Sequence, residues 1–236
     1  MLRIAQSPIQ NHLLAGLPRE DYQRLARYIE PVALTFGQVL YEPGDRIRHV
    51  YFPCSGVISL LTVVGQTKAT EVGIVGNEGV VGGSAALGID VSHLRAVVQG
   101  TGTAVRISSS RMHKELKSHG SWYRELFRFT HALMSQTAQT AACNRFHKVE
   151  ARLARWLLAT RDRVKSRQFH LTHEFLSLML GVRRVGVTGA ATSLQKRRLI
   201  TYTRGNIHLL DVAGLEAAAC ECYGAVKEIY RRSYKK

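Results

Sequence analysis

The chain has no run of about eighteen apolar residues, so no stretch of it reads as a membrane-spanning helix. Its amino terminus lacks a basic region followed by an apolar one, the pattern of a secretory signal, and a cytoplasmic protein with no membrane partner is the expectation. Acidic side chains are scarce: 17 Asp and Glu stand against 33 Lys and Arg, giving a formal net charge of +16. Cysteine is scarce too. The four thiols, Cys54, Cys143, Cys220 and Cys222, are too few and too scattered for a disulfide framework in 236 residues, and reduced thiols fit the same compartment. A nucleophile elbow, a Walker loop and a paired-histidine zinc motif are all missing, so the ten histidines suggest no catalytic set and no enzyme is expected.

The positive charge is concentrated. Residues 1–120 hold 12 Lys and Arg against 9 Asp and Glu, whereas residues 121–236 hold 21 against 8. Such a field attracts a phosphate backbone and gives an affinity that falls steeply with salt. The length suffices for two modest domains of ~100–150 residues each.

The basic half contains the most informative stretch, Leu171 to Ile200. Thr172 can cap a first helix, with Glu174 in its opening turn, where a carboxylate favours the positive end. Phe175, Leu176, Met179 and Leu180 supply an apolar face. Gly181 can turn the chain at positive φ, so a short turn leads to a second helix. There Val187, Ala190, Ala191 and Leu194 fall at i, i+3, i+4 and i+7, one buried stripe. Arg184, Thr188, Thr192, Gln195 and Lys196 then face outward, a polar surface suited to the major groove. The spacing predicts a helix-turn-helix. Ile200 to Leu210 alternates apolar and polar residues around Arg204-Gly205-Asn206, which reads as a hairpin with a basic tip, a wing.

Upstream, residues 1–35 read as short helices with Leu13, Leu14, Leu17, Tyr22, Leu25 and Ile29 as apolar positions. From Phe36 to Ile107 short alternating segments follow (Val57–Ser59 with Leu60–Val64, Glu71–Val75, Arg95–Gln99, Thr103–Ile107). Twelve of the 20 glycines lie between Gly37 and Gly102, as tight turns between antiparallel strands require. Ser121 can cap a long helix to about Phe146, with Leu126, Phe129 and Leu133 as a heptad-like seam continued by Gln136, Thr140 and Cys143. Another helix spans Val149 to Val164, with Leu153, Trp156 and Leu157 inward and several arginines outward. Ser166 to Phe169 reads as a linker.

A winged helix-turn-helix preceded by a long helix and a glycine-rich β region resembles the Crp/Fnr superfamily of bacterial transcription regulators. The likeness is ungapped from Gly181 to Leu199-Ile200 and covers most of the chain from about Leu13. Phe36 to Asp45, His49 to Gly56 and Gly76 to Gly88 resemble the cyclic-nucleotide-binding β-roll. The resemblance implies an α+β chain: a jelly-roll-like antiparallel β-roll sensor domain (1–120), a dimerisation helix (121–147) and a C-terminal winged helix-turn-helix (148–236). It further implies a homodimer with Leu126, Phe129, Leu133 and Thr140 at its interface, duplex DNA as partner, and RNA polymerase as a further candidate partner. The residues set against DNA are Thr172, Arg183, Arg184, Val185, Thr188, Thr192, Gln195, Lys196 and Arg204. Many members carry Arg-Glu-x-x-x-Arg on the recognition helix; this chain keeps Arg184 but has Val185 and Gly189, so the familiar operator is not implied.

The effector pocket departs as well. Where the family places Gly-Glu and Arg-Ser, this chain has Gly82-Gly83 and Ser92-His93, with Arg95 and Glu78 as the nearest substitutes and Thr137 matching a threonine that touches the base. Losing a bidentate arginine from a phosphate site costs on the order of 2–5 kcal/mol. Cyclic AMP is therefore not expected as a tight ligand, and another small effector stays open. The alternative function is a ligand-sensing module acting on a protein or RNA partner.

Metal binding is not expected. Cys143 and His147 are one turn apart and Cys220-Glu221-Cys222 is a close thiol pair, but neither is a complete ligand set. The Cys-x-Cys is expected on a carboxy-terminal helix where its thiols diverge, and the amino-terminal cysteine cluster of the family's iron-sulfur sensors is missing.

Overall fold

The computed structural model describes residues 10–65, 68–118 and 120–234; the amino-terminal expectation for residues 1–9 lies outside them. Two compact units emerge, the first holding the chain to Ile58 and Val75–Thr130, the second Ser59–Ile74 and His131 onward.

In the first unit, α1 (His12–Ala15) is capped by Asn11, whose side chain accepts from the Leu14 amide at 3.1 Å and donates to the carbonyls of Pro53 and Gly79 at 2.9 Å. A fully buried amide thus has every polar atom in use. Next come α2 (Arg19–Leu25), β1 (Glu30–Leu34), β2 (Val39–Tyr41) and β3 (His49–Pro53), then the hairpin strands β4 (Val57–Val64) and β5 (Lys68–Val75), which lie mostly in the second unit. The short helix α3 (Gly83–Ala86), β6 (Arg95–Gly100), β7 (Gly102–Ser108) and α4 (Ser109–Ser118) complete the set. Strand β7 lies between β1 and β3 and is antiparallel to both, with Val32 opposite Ala104 and Phe52 opposite Val105. Strand β2 runs antiparallel to β6. Alternation along β3 sends Val50 and Phe52 inward, where Phe52 meets Trp122 at 6.2 Å between rings. Full burial of each such side chain stabilises by roughly 1.5–3 kcal/mol. The antiparallel β-roll with its long helix is the expected fold.

That helix, α5 (Ser121–Phe146), carries residues of both units. The expected boundary at residue 120 differs from the division by contacts, which falls within α5 after Thr130. The physical reason is that one helix serves two packings: Leu126 and Phe129 press on Gly83 and Gly79 in the first unit, while Leu133 and Gln136 meet Gly73 in the second.

In the second unit α6 (Val149–Val164) buries Leu153, Trp156 and Leu157 as expected. One of its arginines turns inward. Arg152 is 5% exposed; it donates to Asn144 Oδ1 at 2.7 Å and to the Leu180 carbonyl, one of the acceptors left over at a helix end. The expected linker at Ser166–Phe169 is also corrected: β8 (Gln168–His170) pairs with the wing, Phe169 opposite Ile207, because the strand edge there offers unmatched backbone groups. Helix α7 (His173–Leu180) starts at Thr172, whose hydroxyl accepts from the Phe175 amide at 3.1 Å, and stops at Gly181 with φ of 60°. Helix α8 (Arg184–Lys196), wing strands β9 (Ile200–Thr203) and β10 (Asn206–Leu209), α9 (Val212–Ala218) and α10 (Cys222–Tyr234) follow. Glu71 of β5 is buried in this unit, accepting from Ser59 Oγ at 2.6 Å and Trp156 Nε1 at 3.0 Å. Burial outweighs those two bonds and pushes its carboxyl up to about 7.

Candidate functional site

Helix α8 divides cleanly. Val187, Ala190, Ala191 and Leu194 are buried, while Arg184, Thr188, Thr192, Gln195 and Lys196 are exposed, as is Arg183 at the amino cap. Among the described residues Arg183, Arg184, Lys196 and Arg204 make no ion pair, whereas Arg197, just past α8, is held by Glu150 at 2.8 Å. The face keeps its cations unneutralised. Val185 is 75% exposed, an apolar surface that the described residues leave uncovered. Among the described residues nothing lies within 4 Å of where a side chain at Gly189 would start, so they leave the backbone bare on this side.

The helix is braced from below. Thr188 Oγ1 lies 3.1 Å from His173 Nδ1 and donates to the Arg184 carbonyl, so its hydroxyl already has partners. The wing turns through Arg204 and Gly205, both at positive φ, the two-residue turn whose twist suits a hairpin. It presents Arg204 to solvent.

The residues expected around an effector are placed less favourably. Gly82, at φ 81°, opens α3, and a side chain there would collide with the Tyr41 hydroxyl and crowd Ile47 and the His49 carbonyl. Ser92 is buried and its hydroxyl donates to the Leu94 carbonyl at 2.7 Å. Arg95 is bound to Glu42 at 2.8 Å, and Glu78 accepts from the Gly76 amide at 3.2 Å. His93 is exposed. Thr137 belongs to the second unit, its hydroxyl donating to the Leu133 carbonyl at 2.9 Å. The cation that could replace the family's arginine is therefore already neutralised.

Residues 151–218 match the Crp-like helix-turn-helix domain and residues 31–119 match the cyclic nucleotide-binding domain. The chain belongs to the Crp/Fnr superfamily. Its members of known structure share the fold: the global regulator CLP of Xanthomonas campestris, described as responsive to cyclic di-GMP, is 15% identical over 81% of this chain and 99% of its own, with a TM-score of 0.67. A Crp/Fnr regulator of Eubacterium rectale is 15% identical over 90% and 97%, TM-score 0.67, and TTHA1359 of Thermus thermophilus 22% over 80% and 98%, TM-score 0.61. Compared by sequence with curated proteins, the chain finds no match. As a Crp/Fnr chain it is a transcription regulator with a helix-turn-helix DNA-binding domain. No helix among the described residues is long and apolar enough to cross a membrane.

Two expectations about this Crp/Fnr chain need correction. Leu126 and Phe129 are 2% and 3% exposed within their own chain, and Thr140 is buried as well, so they cannot form a pairing seam. The exposed large apolar residues of α5 are Phe127, Met134 and Phe146, at 59%, 67% and 76%, and Phe127 and Met134 stand a heptad apart with exposed Ala138 and Ala141 beyond them. Sequence alone could not choose between the two faces because both carry apolar residues at heptad spacing.

The second concerns the thiols. Cys222 begins α10 and Cys220 lies in the corner after α9, so the pair converges instead of diverging. Cys143 Sγ is 3.5 Å from Cys220 Sγ, and His147 Nδ1 is 3.4 Å from Cys222 Sγ. The hydrogen bond from Cys220 pulls the Cys143 thiol down to about 5, while that same bond and burial hold Cys220 up. The signal was present as Cys-x-x-x-His and Cys-x-Cys; what joined them was the α9–α10 corner.

Proposed function

We propose that the chain acts as a homodimeric, sequence-specific regulator whose α8 reads the major groove and whose β-roll does not hold cyclic AMP tightly. The observation that carries this reading is the exposed α8 face: unpaired Arg183, Arg184 and Lys196 beside Thr192, Gln195 and Val185. A reading helix that carries a single arginine within its own span, Arg184, needs a second half-site to gain specificity, which a two-fold pair supplies. The exposed stripe of Phe127, Met134, Ala138 and Ala141 supports pairing through α5. Arg184 offers a bidentate contact to guanine and Val185 an apolar contact to a thymine methyl. The Arg95–Glu42 pair supports the loss of cyclic AMP affinity, since a phosphate would have to displace a carboxylate.

Binding of mapped genomic sites, followed by fluorescence anisotropy across a salt series, tests the reading. Six to ten phosphate contacts would lose roughly three to five decades of affinity between low and moderate salt, with one sequence class bound well above the rest. Salt-independent binding, or equal affinity for all duplexes, would reject it. Calorimetry with cyclic AMP should show no tight binding, and micromolar affinity would mean that Arg95 leaves Glu42 for the nucleotide.

A further inference from the structure

Cys143 and His147 stand at i and i+4 on the last turn of α5 and its exit, which places them on one side. Cys220 and Cys222 arrive from the α9–α10 corner. One donor atom of each lies within 4.8 Å of all the others. Zinc held by thiolates at ~2.3 Å sets neighbouring sulfurs roughly 3.8 Å apart, and the 3.5 Å between Cys143 and Cys220 is close to that edge. A [2Fe–2S] cluster would interpose two irons and two sulfides, and so needs its ligand pairs spread wider than this cradle.

Apolar packing explains buried thiols but not the polar atoms around them. His147 turns Nδ1 toward Cys222, while Nε2 is held by Glu221 Oε1 at 3.0 Å. A carboxylate on the far nitrogen fixes the tautomer and orientation of a metal-binding imidazole. Gln139 Nε2 donates to Cys222 Sγ at 3.0 Å, a bond that stabilises a thiolate. The charges of Arg152 and Arg155 act on Cys143 from the neighbouring helix.

We propose that Cys143, His147, Cys220 and Cys222 bind one zinc ion, which fastens the end of α5 to the α9–α10 corner. Four protein donors close the tetrahedron, so the ion is structural and leaves no position for a substrate. Binding to the protonated thiols releases three protons; three thiolates, a neutral imidazole and Zn2+ sum to a charge of −1, which the two arginines offset. Helix α6 begins at Val149, directly beyond His147 and Lys148, so the ion would fix where the reading domain leaves the long helix.

The full chain, purified without chelators under reducing conditions, should carry about one zinc per chain by plasma mass spectrometry. C220S and H147A should each retain less than about a tenth, C54S should retain all of it, and E221Q should weaken zinc about tenfold or more in chelator competition. Cobalt exchanged into the unaltered chain should show thiolate charge-transfer bands and tetrahedral d–d bands, a readout that survives if a cysteine variant fails to fold. Absence of those bands, full zinc in C220S, or a reduced chain that takes up no zinc on dialysis would overturn the site. A Cys143–Cys220 disulfide in the isolated chain, with no metal in the reduced one, would overturn it in favour of a redox pair.

Discussion

The imidazole of His173 lies flat on the ring of Tyr202, 4.5 Å between centroids and 18° between planes. One ring opens α7 and the other sits in β9, while Thr188 of α8 touches the same imidazole at 3.1 Å. Tyr202 also donates its hydroxyl to the Leu171 carbonyl at 2.9 Å. A single stack thus ties the first helix, the reading helix and the wing together.

Acid should loosen that tie. Burial, and then the charge of Arg184, lower the pKa of His173, so the folded state prefers the neutral ring. The stability this contributes is present above the unfolded value of about 6.5 and is lost as pH falls through the lower folded value. Thermal melts of H173F, which keeps a ring but cannot charge, should show less acid destabilisation than the unaltered chain. Identical pH profiles would mean that the stack does not sense protons.

Glu71 acts in the opposite direction. Its folded pKa of about 7 exceeds the unfolded value, so its contribution is complete in acid and declines as pH rises to about 7. The full change is on the order of 3 kcal/mol. E71Q keeps one carbonyl oxygen to accept from Trp156 and turns an amide NH2 toward the Ser59 hydroxyl, which can accept, without a charge to bury; denaturant titrations should find it relatively more stable at pH 8 than at pH 5. A pH dependence no different from that of the parent would contradict the buried carboxyl.

The two faces of α5 can be told apart by substitution. F127E combined with M134E should give monomers by sedimentation with little change in protomer stability, because both side chains are exposed. L126A should do the reverse, costing ~2–5 kcal/mol of stability while leaving association alone. A monomer from L126A and a dimer from the double variant would return the seam to the face buried here.

On DNA, R184A should relax preference at one base pair of each half-site by ~1–3 kcal/mol. K196A should weaken all sequences about equally and lower the salt slope by roughly one. Unchanged base preference in R184A would remove α8 as the reader.

How far the sequence could be read follows from the range of the interactions. Helix α6 was legible from Val149 to Val164 because its stripe repeats over several turns, and Thr172 and Gly181 mark the limits of α7 through local caps. Strand β8 was not, since its three residues pair only with a strand formed much later in the chain. The burial of Arg152 depends on where α7 ends, and the packing of Phe129 on Gly79 depends on the β-roll. The cysteine and histidine set needed both the end of α5 and a corner more than seventy residues on. Exposed polar residues of α8 were read from helical spacing, whereas the neutralisation of Arg95 by Glu42 rests on strands that adjoin only after folding.

Arg204 sits at φ 49° in a turn position where asparagine, aspartate or glycine would rest with less strain. The wing thus keeps a cation at its tip against the local preference of the backbone, exchanging a little robustness for reach toward a phosphate. Stability and affinity should be separable here: R204N should melt at a higher temperature and bind every duplex more weakly, so a screen for thermal hardiness alone would select against the regulator's grip on its target.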